Sequence, residues 1–337
     1  MLGITESCLS EYQGDDVVIT GGLGFIGSNL ARALAKQGAN VTILDSEIDG
    51  YGANRFNISG VEDKVKTVSG DIRNKNVVSD VVEGADWVFH LAAQLSRTVS
   101  MENPSMDIKI NCIGSVNVLE AIRDQEPDAA VIYTGSQASF GVSKERPFTE
   151  ESETKPIDIY GADKLAAENY FNIYHRVYGI ETRSIRLTNV YGPRAQLKNT
   201  NYGVINRFIR LALAGKTLPV YEPGTMRRDP IYIGDVVDAL LRVGPFGDAA
   251  VPYIIGSGSS VSVLQLAKVI VDIANSGHVE LTEWPDDWDS IQVGDITIDN
   301  SYAQSDLGWS PSVELEQGFE RTIKFYEKHS EEYIGEE

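Results

Sequence analysis

Short apolar runs alternate with stretches of helical periodicity through the first half of the chain. Asp16-Val17-Val18-Ile19 reads as a strand, and Ile26, Leu30 and Leu34 then recur at the spacing of one helix face. A second strand, Asn40-Val41-Thr42-Ile43-Leu44, follows, and Lys66-Thr67-Val68 and Trp87-Val88-Phe89-His90-Leu91 repeat the pattern. Ile110, Val118 and Ile122 mark another helical stretch before the apolar strand Ala129-Ala130-Val131-Ile132-Tyr133. A polar loop at 143–156, a helix over about 159–177 and a strand at 182–187 complete the series. Strand and helix in regular alternation predict an α/β fold with a doubly wound parallel sheet.

Beyond Asn189 the rhythm changes. Tyr191-Gly192-Pro193-Arg194 interrupts it, and shorter segments follow: a helix near 204–214, a strand near 218–221, a helix near 262–274 and an amphipathic helix around 315–329. This predicts a nucleotide-binding domain over 15–188 and a smaller α/β lobe over 189–330, with some segments crossing between them and a ligand cleft in between.

The turn after the first strand reads Thr20-Gly21-Gly22-Leu23-Gly24-Phe25-Ile26-Gly27. A glycine-rich turn alone often binds nothing, but here strand, turn, helix, strand and acid come in order. Gly21 permits a tight turn, Gly24 lets the backbone approach a pyrophosphate, and Gly27 lets the helix pack closely on the sheet. The helix N-terminus then faces the anion. Asp45, at the end of the second strand, can accept from a ribose 2′-hydroxyl and would repel a 2′-phosphate. With Ser46 next and no basic neighbour, NAD is expected over NADP.

Composition narrows the partners. The chain has 49 acidic against 29 Lys and Arg residues, a net charge of −20, and 42% hydrophobic residues in 337. Such a surface opposes nucleic-acid binding, and fits a salt-rich cytoplasm and an ordinary acidic enzyme equally. The apolar runs are too short for a membrane span. Residues 1–14 carry acids and no basic residue, so they read as a ragged leader rather than a secretory signal. Cys8 and Cys112 give neither a structural disulfide nor a thiolate cluster for a metal, and a reducing cytoplasm is the expected compartment.

Tyr160-Gly161-Ala162-Asp163-Lys164 opens the helix after the polar loop, and a spacing of four places Tyr160 and Lys164 on one face. A nearby ammonium and an oxidised nicotinamide would both favour the phenolate, making Tyr160 a base for a substrate hydroxyl. Tyr-x-x-x-Lys alone carries little information. Upstream, however, the strand ending in Thr134-Gly135-Ser136 places a hydroxyl at the cleft, where Ser136 could donate to the same substrate oxygen or merely cap a turn.

With these residues assembled, the chain resembles the NAD-dependent nucleotide-sugar epimerase/dehydratase branch of the extended short-chain dehydrogenase/reductase superfamily, over residues 16–326. The resemblance implies a Rossmann-type sheet, a cytoplasmic homodimer, bound NAD and a nucleotide-diphosphate sugar as substrate. It places Asp71 of Gly70-Asp71-Ile72 near the adenine and His90-Leu91-Ala92-Ala93-Gln94 along the cofactor. Asn111, with Gly114 and Asn117 behind it, matches the helix beneath the nicotinamide ribose. Ser136, Tyr160 and Lys164 are then the catalytic set. Gly21, Gly24, Phe25, Ile26, Gly27, Asp45, Asp71, Ile72, Leu91, Ala92, Ala93, Gln94 and Asn111 would bind the cofactor, together with Tyr160 and Lys164. Asn189, Arg194 and Arg228 would join Ser136 in holding the sugar nucleotide, with Arg227 as a further helper. Leu307-Gly308-Trp309-Ser310-Pro311 matches the C-terminal signature.

Departures from the family's patterns decide between activities. The 4,6-dehydratases carry Asp-Glu after the hydroxyl residue, where this chain has Gln137 and Ala138, and the decarboxylases carry an acid where this chain has Ala162. What remains resembles the 4-epimerases, which invert C4 through a transient 4-keto sugar. Many of these have an arginine where this chain has Gln292, and a tyrosine where it has Phe140. A reductase, an epimerase of a uronic acid, amino or deoxysugar, and a non-catalytic NAD-binding sensor stay open as alternatives.

Overall fold

The computed structural model describes residues 10–143, 146–198, 203–249, 251–284 and 294–334. Seven parallel strands form the central sheet: β1 Asp16–Thr20, β2 Asn40–Asp45, β3 Val65–Ser69, β4 Trp87–His90, β5 Ala130–Ser136, β6 Thr182–Leu187 and β7 Tyr253–Ile255. Their order is β7-β6-β5-β4-β1-β2-β3, which reverses direction between β1 and β4. Helices cover both faces, so the inner strands are apolar on both sides, and every residue of β5 is buried. Loops leaving β1 and β4 part at the switch point, and this opens the crevice that ligands of such sheets occupy.

The sequence places the first six strands within a residue or two of their observed ends, except that β5 continues three residues past Tyr133 to Ser136. The expected division at residue 189 is crossed twice. β7 joins the edge of the main sheet beside β6, and the helix Ile233–Phe246 packs on the helix Phe25–Lys36 and beneath β5 and β6. One apolar core, including Ile19, Phe89, Leu240, Trp309 and Tyr326, therefore runs through both parts.

From Ser10 onward, the N-terminal segment is packed, not ragged. Tyr12 is fully buried against Trp87 and donates to the Leu241 carbonyl at 3.0 Å. Gly244 leaves room for it, since a Cβ there would stand 2.0 Å from the Tyr12 hydroxyl. The acidic C-terminal stretch likewise carries an anchor. Tyr333 is buried and hydrogen-bonds the Asn57 side chain. Met1 to Leu9, including Cys8, lie outside the described residues. Cys112 is buried as a free thiol. Among the described residues, no helix is long and apolar enough to cross a membrane.

Candidate active site

A cavity of about 320 Å³ runs along the carboxyl ends of the central strands. At one end lies the glycine turn. Gly21 adopts φ +71°, and a Cβ on it would come within 2.8 Å of the Ala92 backbone. A Cβ on Gly27 would stand 2.3 Å from the Gly21 carbonyl oxygen, so the helix can start only this close to the turn if Gly27 stays glycine. Gly24 caps that helix with no side chain, leaving the first turn, Phe25 and Ile26, facing the cavity. Backbone amides, a helix dipole and no obstructing Cβ form a cradle suited to a pyrophosphate.

Asp45 closes the far side of this cradle. Its carboxylate accepts the amides of Leu23 and Glu47, both at 3.0 Å, while burial raises its pKa above the ordinary value. A basic neighbour that the linear sequence does not reveal, Arg55, is held bidentately by Glu47 at 2.7 Å. Two acids against one arginine keep this corner unfavourable for a 2′-phosphate. Asp71 lines the cavity but is clasped by its neighbour Arg73, which holds its carboxyl below the usual range. Leu91, Ala92, Ala93 and Ile72 line the wall. Ile72 also packs under Gly114, and Asn117 donates to its carbonyl at 2.9 Å.

The catalytic candidates meet at the inner end. Ser136, Tyr160 and Lys164 all line the cavity and are all buried. Asp158 caps the helix Ile159–Tyr178 by accepting the Gly161 amide at 2.7 Å, and Ser100 accepts the Tyr160 amide at 3.1 Å, which fixes where that helix begins. Ser136 caps the turn that follows its strand, its Oγ accepting the Ala138 amide at 3.1 Å, and it acts on the Tyr160 phenol so as to lower its pKa.

Without the cofactor's charge, the protein's own groups do not lower the pKa of the Tyr160 phenol. Burial pushes the phenol up to about 12; Ser136 pulls the other way, Asp158 and Asp107 add to the rise, and Arg97 opposes it. The protein's own groups thus favour the neutral phenol, because a buried phenolate loses more solvation than Ser136 and Arg97 return. Lys164 has its Nζ 4.6 Å from the centroid of the Tyr133 ring, and burial lowers its pKa to about 8.

Two expected cofactor residues, Gln94 and Asn111, stand behind the wall. The Gln94 amide donates to Asn111 Oδ1 at 2.9 Å, and both side chains donate to the buried Asp107, Asn111 at 3.0 Å. They support the wall and do not form it. Asp107 also acts on Asp163, the residue before Lys164, and burial beside this second carboxyl raises Asp163 to about 7. The linear sequence does not predict that pairing. His90 is buried between Thr20 and Ser115 and lowered to about 3 by burial, so it is a neutral structural ring.

On the substrate side, Asn189 lines the cavity, and its Oδ1 accepts from Gln137 Nε2 at 3.4 Å. Gln137 Oε1 and the Thr134 hydroxyl, also on or beside this wall, have no partner among the described residues. Arg194 does not belong here, a correction to the expected set. Its guanidinium donates to the Asn57 carbonyl at 3.2 Å and to Asn29 Oδ1 at 3.1 Å and lies over Phe325, so it clamps the glycine-turn helix from behind. Arg227 points outward to Ser260. Arg228 turns inward: it donates to the Gly294 carbonyl at 2.8 Å, and burial with Arg97 and Arg146 nearby lowers its pKa to about 10. Phe140, where the family has tyrosine, is fully buried and stacks on Phe148 at 4.5 Å. Gln292 lies outside the described residues.

Comparison with known proteins agrees with this geometry. Residues 17–256 match the model of the NAD dependent epimerase/dehydratase family. A UDP-glucose 4-epimerase of Mycolicibacterium smegmatis is 32% identical over 319 residues, covering 93% of this chain and 99% of its own. A UDP-glucuronic acid decarboxylase of Arabidopsis thaliana is also 32% identical, over 312 residues, covering 90% of this chain and 86% of its own. The crystal structure of a Thermotoga maritima UDP-glucose 4-epimerase with UDP-glucose superposes with a TM-score of 0.86 at 28% identity, covering 94% of this chain and 99% of that one. The chain is therefore a member of the NAD-dependent epimerase/dehydratase family.

Proposed function

We propose that the protein is a nucleotide-sugar 4-epimerase acting on a UDP-hexose. The observation that carries this reading is that Ser136, Tyr160 and Lys164 are buried together on the wall of the cavity that begins at the glycine cradle. Residues for competing chemistry are missing, since Gln137 and Ala138 cannot perform an acid/base elimination and Ala162 supplies no carboxylate. Bound in the oxidised form, NAD supplies the hydride acceptor and a positive charge that favours the phenolate.

Tyr160 Oη takes the proton of the sugar 4-hydroxyl, and Ser136 donates to the same oxygens and stabilises the charge as it forms. Lys164 sustains a positive field beside the ring of Tyr133. The 4-keto sugar stays tethered by its diphosphate, gripped by Arg228, while the ring turns its other face. Tyr160 then returns the proton to the 4-oxygen. Asn189 and Gln137 offer the sugar its polar contacts, Gln137 with the unpartnered Oε1.

The test is to incubate the NAD-loaded protein with UDP-glucose and follow the anomeric signals by NMR without added reductant. An equilibrium mixture of UDP-glucose and UDP-galactose is expected. Consumption of a stoichiometric reductant, or no turnover, contradicts the reading. Turnover of a UDP-uronate or UDP-aminosugar alone would reassign the sugar and keep the reaction.

The same reading places the enzyme in the cytoplasm as a homodimer. Exposed Ile113, Ile173, Val177 and Tyr178 lie on adjacent helices and give a second copy an apolar face to cover. A sedimentation mass of one chain would contradict it.

A further inference from the structure

A buried charge needs a partner, and Lys164 lacks the usual one. It is buried on the cavity wall, and among the described residues no carboxylate stands within ion-pair distance of its Nζ. The two acids whose charge reaches it, Asp107 and Glu168, are engaged elsewhere. Asp107 accepts from Gln94 and, at 3.0 Å, from Asn111, while Glu168 holds Arg186 bidentately at 2.9 and 2.6 Å. What meets the ammonium is an aromatic face, with Nζ 4.6 Å from the centroid of the Tyr133 ring. We propose that Tyr133 is a positioning residue for Lys164, its ring forming the floor that holds the buried ammonium in its charged form at the cavity wall. The inference rests on the reading of Lys164 as the cation of the catalytic set.

The fold fixes this contact from both sides. Tyr133 belongs to β5, three residues before Ser136, and packs with the helix Ile159–Tyr178 in one apolar cluster. On that helix Lys164, Ala167 and Phe171 follow one another at the spacing of a single face. Phe171 stacks on the Tyr133 ring, with centroids 4.7 Å apart and 21° between the planes. The Tyr133 hydroxyl donates to the Lys164 carbonyl at 3.0 Å. The ring is therefore tied to the very residue whose ammonium it carries. Tyr133 is fully buried and does not line the cavity, so it acts through Lys164.

An aromatic floor differs from a carboxylate in one respect that matters here. A carboxylate would hold the ammonium and cancel its field, whereas the ring quadrupole attracts the cation without adding a net charge. That attraction opposes burial, which lowers Lys164 to about 8. Other titratable groups surround the ammonium. Tyr160, Asp163 and Glu168 share its helix, Asp107 and Cys112 act on it from residues 104–113, and it acts on His90 of β4. The Cys112 thiol, raised to about 12, and His90, lowered to about 3, are uncharged near neutral pH. All of these stay in place when only the residue at 133 is changed.

NMR of the NAD-loaded protein, labelled with carbon-13 at the lysine Cε atoms, follows the titration of Lys164 directly. Its signal is the one missing from Lys164→Arg. Tyr133→Leu should lower the midpoint by about one pH unit or more, the scale of a desolvated cation–π contact. Tyr133→Phe keeps the ring and loses only the hydroxyl, so it should restore the midpoint to near the unaltered value. Because leucine leaves a void in the core, a second series keeps the shape. Phenylalanine bearing one, two or three fluorines at position 133 draws charge from the ring face and should lower the midpoint stepwise. A midpoint constant across the fluorinated series, or an equal fall in Tyr133→Phe and Tyr133→Leu, overturns the role of the ring. No substrate enters the measurement, so its outcome is separate from that of the epimerase reading, which fails on its own if UDP-glucose is not converted.

Discussion

The two ends of the cleft are built by opposite means. At the cofactor end, recognition is a matter of backbone shape. Gly21 and Gly27 remove the Cβ atoms that would fill the cradle, and the helix from Phe25 supplies amides from one continuous stretch of chain. At the substrate end, the proposed grip is a side-chain charge, Arg228, whose segment is tied to residues 294–296 only in the folded protein. The contrast suggests that the constant part of the ligand is met by a rigid local motif.

Between the two ends stands Tyr160, and removing its oxygen should have the largest effect. Tyr160→Phe should lower turnover by about a hundred-fold or more, the scale of lost general acid/base catalysis, with NAD and UDP binding both preserved. Steady-state rates beside calorimetry would check this, and near-full activity would move the base elsewhere.

Arg228→Ala strikes the substrate end alone. UDP affinity should fall by about ten- to a hundred-fold, from the loss of a charge-assisted contact of about 1.5–3 kcal/mol, while NAD content stays constant. A parallel loss of NAD would mean that the two ends are not separable. Gly27→Ala is the converse. Its new Cβ would stand 2.3 Å from the Gly21 carbonyl oxygen, so the helix must retreat from the turn. A cost of about 1–3 kcal/mol in stability is expected, with weaker NAD retention and unchanged UDP affinity. Thermal melts and the cofactor content of the purified variant would report it.

The same contrast explains what could be read without the structure. The glycine turn, Asp45 and the Tyr160–Lys164 pair were legible because each depends on spacing within one or two neighbouring elements. Arg55 and Arg97 were not, because nothing in their local sequence marks them, and their partners Glu47 and Asp158 meet them only in the fold. Arg194 was misplaced for the same reason. It follows Gly192-Pro193 as the family pattern requires, yet its guanidinium is committed to Asn29 and Asn57. Gln94 and Asn111 sit in the right motifs one layer too deep, and the phenol's raised pKa comes from burial, which spacing does not reveal.

The smallest expected effect concerns the buried carboxyl pair behind Lys164. Asp163 has its pKa raised from 3.8 to about 7 by burial and by Asp107. The folded state therefore holds more protons than the unfolded state between these values, and this contribution to stability is lost as the pH rises through that window. Asp163→Asn keeps the shape and removes the titration. Its melting temperature relative to the unaltered protein should rise steadily from pH 4 to pH 7, and a difference independent of pH would remove the raised pKa from the account.

The central claim is that hydrogen leaves C4 of the sugar and returns to the same carbon on the opposite face, within one closed site where Tyr160 handles only the hydroxyl proton. UDP-glucose labelled with deuterium at C4, converted by the NAD-loaded protein in ordinary water, tests it directly. Proton NMR should show UDP-galactose with the label retained at C4 and no solvent hydrogen gained there. Replacement of the deuterium by solvent hydrogen would show that C4 exchanges by proton transfer, and would contradict the hydride path and the role assigned to Tyr160.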